Sequence, residues 1–410
     1  MGLWTLYDFA NSIFIVVFYL YFSQWLVVDH GVSDLWFNLI FVGSTLLLLL
    51  TSPLAAVAAD KSGGKLSWLR WLTVLTFLSL LLTSIVANFY NPTKTVLILA
   101  ALGYLLANYF YQFSFTFYNA FLRDIAPFNL RGMISGIGQC ANWLGEIAGL
   151  LVTLPLITGA VVLMGNPGRS QTFLPATCLF FLFSLPVLFW FRETTIKKKS
   201  KTKFSFNYKS HIADFKSLLK APGMKNYLLG YFFFNDAILT ASNNFPIFLD
   251  QVFKISDDTK SILLLGILVT AALGALTFGM VSDKVGHKKS LIWVLISWAI
   301  VLPLLSVLTN FTYFVVASIA MGFLFGATWT VTRAVMDYLS PEGKVTHAFS
   351  YYTLAERFST LIGPLTWGLI THFLLGYGEL RYRVAALSMT VFILLGLLLV
   401  RNIPSKVRAC

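Results

Sequence analysis

Long apolar runs separated by short polar turns fill almost the whole chain. They lie at about 4 to 28, 36 to 59, 68 to 88, 95 to 122, 132 to 158, 172 to 191, 226 to 250, 260 to 282, 290 to 309, 311 to 336, 347 to 373 and 384 to 401. Each is close to the ~20 residues a helix needs to cross the hydrocarbon of a bilayer. The pattern predicts twelve membrane-spanning helices, which would put both ends of the chain on one side. One long polar stretch interrupts it, between residues 192 and 225. That stretch carries Arg192, Lys197, Lys198, Lys199, Lys201 and Lys203, then Ile212, Phe215, Leu218 and Leu219 at helical spacing before Pro222. It reads as a basic linker whose short amphipathic helix lies against inner headgroups. The expected division is an N-terminal six-helix bundle at 1–191, the linker at 192–225 and a C-terminal six-helix bundle at 226–410.

Composition agrees with this pattern. With 57% hydrophobic residues, 11% charged residues and a mean hydropathy of +0.76, a chain of this length cannot be a soluble globule. A net charge of +13 invites a nucleic-acid reading, and its distribution removes it. With both ends cytoplasmic, only Lys94, Arg169, Lys254, Lys260, Arg381 and Arg383 among the 30 basic residues fall in outer loops. That is the positive-inside bias of a membrane protein. Cys140, Cys178 and Cys410 have neither metal-ligand spacing nor a paired framework. The five histidines are scattered, so no catalytic pair, metal site or cofactor is expected, and the chain does not read as an enzyme. No cleavable leader is expected ahead of the first run, and Leu6 stands where a myristoylation signal needs Ser or Thr.

Two turns share one plan. Ala56 to Lys65 reads AVAADKSGGK and Gly279 to Lys289 reads GMVSDKVGHKK, each joining the second and third runs of its half. A small residue precedes an Asp (Asp60, Asp283), which is followed by Lys61 and Lys284, by Gly63 and Gly286, and by Lys65 and Lys288. A small residue lets helices approach, and the Asp can accept backbone N–H groups at a neighbouring helix start. The pair resembles the loop signature of the major facilitator superfamily, the twelve-helix secondary transporters. The resemblance implies an all-α membrane protein of two pseudo-symmetric six-helix bundles and assigns both turns to a cytoplasmic gate. A second repeat agrees: with Pro127 laid on Pro341, Asn119 falls on Arg333, Ala120 on Ala334 and Arg123 on Asp337. Small residues also gather in the fifth run (Gly132, Gly136, Gly138, Gly145, Gly149) and the eighth (Gly266, Ala271, Ala272, Gly274, Ala275, Gly279). They suit ordinary tight packing and equally a surface that rocks.

Ionisable side chains inside a membrane are costly and mark function by default. Asp8, Glu146, Asp236 and Glu356 stand within predicted spans. Asp8 shares a helix face with Asn11 and Ser12, and a helix cap explains it as well as a transport role. Asp236 follows Asn235 and precedes Thr240 by one turn. Glu356 adjoins Arg357, and either glutamate could be a structural brace for Arg357 or Arg333. Several stretches resemble one branch of the superfamily, the vacuole-effluxer-like family named for the yeast autophagy-related vacuolar amino acid exporter. They are WTLYDFANS at Trp4 to Ser12, YNAFLRDIA at Tyr118 to Ala126, SGIG at Ser135 to Gly138, Asn235-Asp236 to Thr240, Arg333, and Arg357 with Gly363-Pro364. The chain departs from that family at Arg123, Ala237 and Glu356. The resemblance implies a pathway lined by spans 1, 4, 7 and 10, with Asp8, Asn11, Tyr118, Asn119, Glu146, Asn235, Asp236, Thr240, Arg333, Glu356 and Arg357 as its polar groups. It further implies a monomeric inner-membrane carrier in contact with lipid, moving a small solute such as an amino acid outward, with protons as a candidate coupling ion. Two rival readings stay open: export or flipping of an amphipathic drug, siderophore or lipid, and a non-transporting sensor or assembly partner on the same scaffold.

Overall fold

The computed structural model describes residues 1–32, 34–62, 64–163, 168–193 and 208–404. Nearly all of them are helical. The first six long elements are α1 (Gly2–Val17), α2 (Asp34–Ser62), α3 (Lys65–Phe89), α4 (Lys94–Ala120), α5 (Arg131–Ile157) and α6 (Phe173–Trp190). A shorter α7 (Tyr208–Leu219) precedes α8 (Met224–Phe248), α9 (Asp257–Val285), α10 (His287–Val307) and α11 (Phe311–Leu339). The last three are α12 (Val345–Phe358), α13 (Ile362–Phe373) and α14 (Leu380–Arg401). Among the described residues, ten helical stretches are long and apolar enough to cross a membrane. The other two expected spans fall short for physical reasons. The seventh, α8, carries Asn235, Asp236, Asn243 and Asn244 along its length. The eleventh is not one helix but two, α12 and α13, interrupted at Ser359 to Leu361.

Two compact units emerge, Met1–Ile125 with Ala141–Phe206, and Ala126–Cys140 with Asn207–Cys410. The division runs through α5, so the first turns of that helix group with the second unit. In the first unit, α1 continues beyond Val17 through wide π turns at Phe18–Phe22 and Trp25–Asp29. These place Phe18 and Phe22 against Tyr104 and Phe173, with ring centroids 4.5 to 5.7 Å apart. Aromatic pairs of this kind contribute about 0.5–1.5 kcal/mol each beyond burial. Such packing matters more here than hydrophobicity, because lipid tails are as apolar as the side chains they replace.

In the second unit, glycine sets how near the helices come. A Cβ added to Gly322 of α11 would lie 2.6 Å from the Ile267 carbonyl oxygen of α9. One added to Gly132 of α5 would lie 2.7 Å from the Gly279 carbonyl of α9. Both are closer than any side chain tolerates, so backbone meets backbone at these crossings. Gly286, at φ +100°, makes the sharp turn from α9 into α10.

The expected amphipathic helix forms as α7, with Leu218 fully buried. Phe215 packs on Tyr351 with centroids 4.3 Å apart, and Lys344 Nζ donates to Ser217 Oγ at 2.9 Å. Its Phe215 and Leu218 therefore face protein rather than headgroups. Lys197, Lys198, Lys199, Lys201, Lys203 and Cys410 lie outside the described residues, as does Gly63. Cys140 and Cys178 are free thiols.

Candidate functional site

In the first unit, Trp4, Tyr7, Asp8, Asn11 and Ser12 at the start of α1 are buried. The helix begins at Gly2, so Asp8 sits more than a turn in and cannot be its cap; Asp8 and Asn11 are fully buried. The cap explanation is therefore set aside. Trp4 stacks on Tyr118 at 4.6 Å with rings 6° from parallel. The two residues also exchange hydrogen bonds: Trp4 Nε1 donates to the Tyr118 carbonyl at 3.0 Å, and Tyr118 Oη donates to the Trp4 carbonyl at 3.2 Å. Tyr7 Oη lies 2.7 Å from Thr73 Oγ1 and donates to Ser114 Oγ at 3.2 Å. Asn142 of α5 donates to Ser12, whose hydroxyl in turn donates to the Asp8 carbonyl at 2.8 Å. Asn119 is buried with its side-chain carbonyl unpartnered among the described residues. Asp8, Asn11, Tyr118 and Asn119 thus belong to one buried region formed by α1 and α4. Glu146, further along α5, is half-buried and forms no ion pair among the described residues.

In the second unit, the interruption between α12 and α13 organises the site. Pro364 occupies the first turn of α13, where a missing N–H costs nothing. Ser359 Oγ and Thr360 Oγ1 donate back to the carbonyls of Glu356 and Arg357 at 2.6 and 3.0 Å, satisfying the end of α12. Asp236, fully buried on α8, accepts the Gly363 N–H through Oδ2 at 2.7 Å and so caps α13. Asn235 Nδ2 donates to Ser359 Oγ at 2.6 Å. Thr240 is buried one turn beyond. Glu356 and Arg357 are half-buried, with Arg357 Nη2 3.6 Å from Glu356 Oε1. Arg333, 5% exposed on α11, donates to Gln139 Oε1 at 3.0 Å. Around it, Tyr227 Oη donates to the Thr332 carbonyl at 2.6 Å, and Tyr231 stacks on Tyr352 at 4.5 Å.

The two repeated turns differ in detail. Asp283 accepts the N–H groups of Gly132 and Met133, both at 2.7 Å, and so caps the start of α5 from the end of α9. Beside it Arg131 Nη1 pairs with the fully buried Asp337 at 2.7 Å. His287 Nδ1 lies 3.2 Å from Ser282 Oγ. Lys284 is exposed and Lys288 half-exposed. In the first unit Asp60 is half-buried, Lys61 is exposed, and Lys65 pairs with Asp124 while its ammonium lies 5.1 Å from the Phe121 ring centroid. The Leu66 N–H donates to Glu193 Oε2 at 3.3 Å. Burial pushes the Glu193 carboxyl above its ordinary range, against the opposing pull of the Leu66 amide and Lys65.

Residues 37–408 match the family described as "Vacuole effluxer Atg22 like". The chain belongs to this family. Over 425 residues it is 21% identical to the uncharacterized MFS-type transporter YxiO of Bacillus subtilis strain 168, covering 98% of this chain and 94% of the relative. Over 230 residues it is 29% identical to autophagy-related protein 22 of Vanderwaltozyma polyspora, covering 51% of this chain and 41% of that protein. Over 354 residues it is 25% identical to multidrug resistance protein MdtG of Salmonella typhimurium, covering 84% and 81%. Two solved structures superpose over nearly its whole length at 12% identity. The human organic anion transporter MFSD10 covers 97% of this chain and 98% of its own at a TM-score of 0.79. FucP in its outward conformation covers 98% and 97% at 0.75. These establish the twelve-helix major facilitator fold. The Atg22-like protein is a multi-pass membrane transporter of that superfamily.

Several polar groups of this Atg22-like chain escape sequence reasoning. Asn108 donates to Ser44 at 2.8 Å and accepts from Gln112 at 2.9 Å, a buried polar chain between α2 and α4. The Arg131–Asp337 pair and the Gln139 partner of Arg333 are likewise unannounced. The helix interruption did leave a signal, since Gly363-Pro364 inside a predicted span is a start-of-helix pattern.

Proposed function

We propose that this transporter works by alternating access and exports a small polar or anionic solute, an amino acid first among candidates, across a bacterial inner membrane with both termini cytoplasmic. The observation that carries the reading is a set of buried polar side chains inside each helical unit: Asp8, Asn11, Tyr118 and Asn119 in one, Asn235, Asp236, Thr240 and Arg333 in the other. Polar groups in apolar surroundings are costly, and a carrier has a use for them. Arg333 offers a planar, permanently charged fork suited to a carboxylate, with Arg357 as a second cation. Efflux has the support of the family description and of the likeness to MdtG. Asp60 and Asp283 with their neighbouring lysines form the proposed cytoplasmic gate.

The test is efflux from proteoliposomes loaded in turn with amino acids, organic anions and lipophilic cations. Amino-acid or organic-anion efflux lost in Arg333→Gln supports the proposal. Movement of lipophilic cations alone would favour the second reading, export of amphipathic compounds, for which the similarity to a multidrug resistance protein speaks.

A further inference from the structure

The interruption of the eleventh span leaves a chemical imbalance at Asp236. Its side chain is fully buried. One oxygen, Oδ2, is used by the amide at the start of α13, with Gly363 N at 2.7 Å. The other, Oδ1, has no hydrogen-bond partner, and no lysine, arginine or histidine pairs with Asp236 among the described residues. The start of α13 meets part of the charge through Oδ2, while Oδ1 remains a buried charged oxygen without a partner, which is costly.

Thr240 shares the deficit. Some buried threonines here turn the hydroxyl back on the carbonyl four residues earlier, as Thr73, Thr153 and Thr328 do at 2.7 Å. Thr240 makes no such bond, and its buried Oγ1 has no partner. Both orphan oxygens pack against Gly363: a Cβ added there would lie 2.8 Å from Asp236 Oδ1 and would also meet Thr240 Oγ1. A third buried acceptor, Asn235 Oδ1, is also unpartnered, while its amide nitrogen is anchored to Ser359 in the interruption. Asp236 Oδ1 and Thr240 Oγ1 have unmet lone pairs beside one negative charge, which suits a cation better than another acceptor. One carboxylate balances one positive charge, which excludes the multi-carboxylate sets that calcium takes.

We propose that Asp236, Thr240 and Asn235, facing the start of α13 at Gly363, form a binding site for a sodium-sized monovalent cation. Occupancy would tie α8 to both halves of the broken span. The site gains its coupling role from the transport reading above, but binding itself does not depend on it.

The experiment uses the full chain in detergent, at constant ionic strength and pH 8, with sodium chloride exchanged for choline chloride. Thermal unfolding and binding of radioactive sodium are both read. The proposal expects a saturable rise in melting temperature with sodium that choline does not give, together with bound isotope. Asp236→Asn keeps an acceptor for the Gly363 amide and should abolish both responses. Thr240→Val, which leaves the carboxylate and the cap in place, should weaken sodium affinity at least tenfold. Wild-type protein that neither binds isotope nor responds to sodium overturns the proposal, as does equal sodium binding by Asp236→Asn. No solute is present in these measurements, so their failure leaves the transport reading standing. Absent solute flux, conversely, leaves a positive sodium result intact.

Discussion

Replacing Asp283 with Asn tests the contact that joins α9 to the start of α5. The carboxylate accepts two backbone amides, Gly132 and Met133, at 2.7 Å each. These are the second and third residues of α5, the positions at which an N-cap acts, and the charge also meets the positive end of that helix. A hydrogen bond to a charged group contributes about 1.5–3 kcal/mol, and Asn can replace at most one of the two with a neutral bond. Asp283 is partly exposed, so the lower part of that range applies, about 1.5–2 kcal/mol. At 1.4 kcal/mol per decade this is roughly a ten- to thirtyfold change in local opening. Hydrogen exchange resolved to the Gly132 and Met133 amides should accelerate by that factor in Asp283→Asn, and remain unchanged in Lys284→Ala, whose side chain is exposed. Equal exchange in wild type and Asp283→Asn would refute the reasoning, because the amides would then be protected by something other than the carboxylate.

Three further outcomes follow from contacts described above. Tyr227→Phe removes the donor to the Thr332 carbonyl inside the second unit and should lower stability by about 1 kcal/mol, read as a fall in melting temperature. Gly322→Ala forces a methyl group to 2.6 Å from the Ile267 carbonyl and should cost about 1–3 kcal/mol, while Gly368→Ala, with nothing within 4 Å, should be neutral; similar melting of the two variants would contradict the packing argument. Glu193 binds its proton more tightly folded than unfolded, so its contribution to stability is full below the unfolded carboxylate value and is lost as pH rises through the folded one. Glu193→Gln should therefore melt above wild type at pH 8, with the gap closing as pH falls toward about 4; a gap independent of pH would disprove this.

The periodic apolar runs and the paired Asp60 and Asp283 turns made the architecture legible, because membrane spans must satisfy their own backbone and announce themselves by length. Asp283 capping a neighbouring helix also followed from its residue type and place. What stayed hidden depends on which side chains meet. Asp8 reads equally as a cap or as a buried group until the start of α1 at Gly2 is known. The Arg131–Asp337 pair joins residues far apart in the chain, and no local pattern signals it. The eleventh run looks continuous because Ser359, Thr360 and Leu361 are no more polar than many helical residues; the hydroxyls that close α12 and the carboxylate that opens α13 act only once folded. The grouping of residues 126–140 with the second unit is invisible for the same reason.

The two π turns that end the first span bear on how this protein tolerates change. Each turn accommodates a surplus residue relative to ordinary helical winding, a local bulge that a one-residue deletion can absorb by rewinding. Excising one amino acid between Phe18 and Phe22 should therefore be survivable, whereas the same excision within α9 would rotate every glycine beyond it away from its mate. Length variation among natural relatives is expected to concentrate at the former place and to be shunned at the latter.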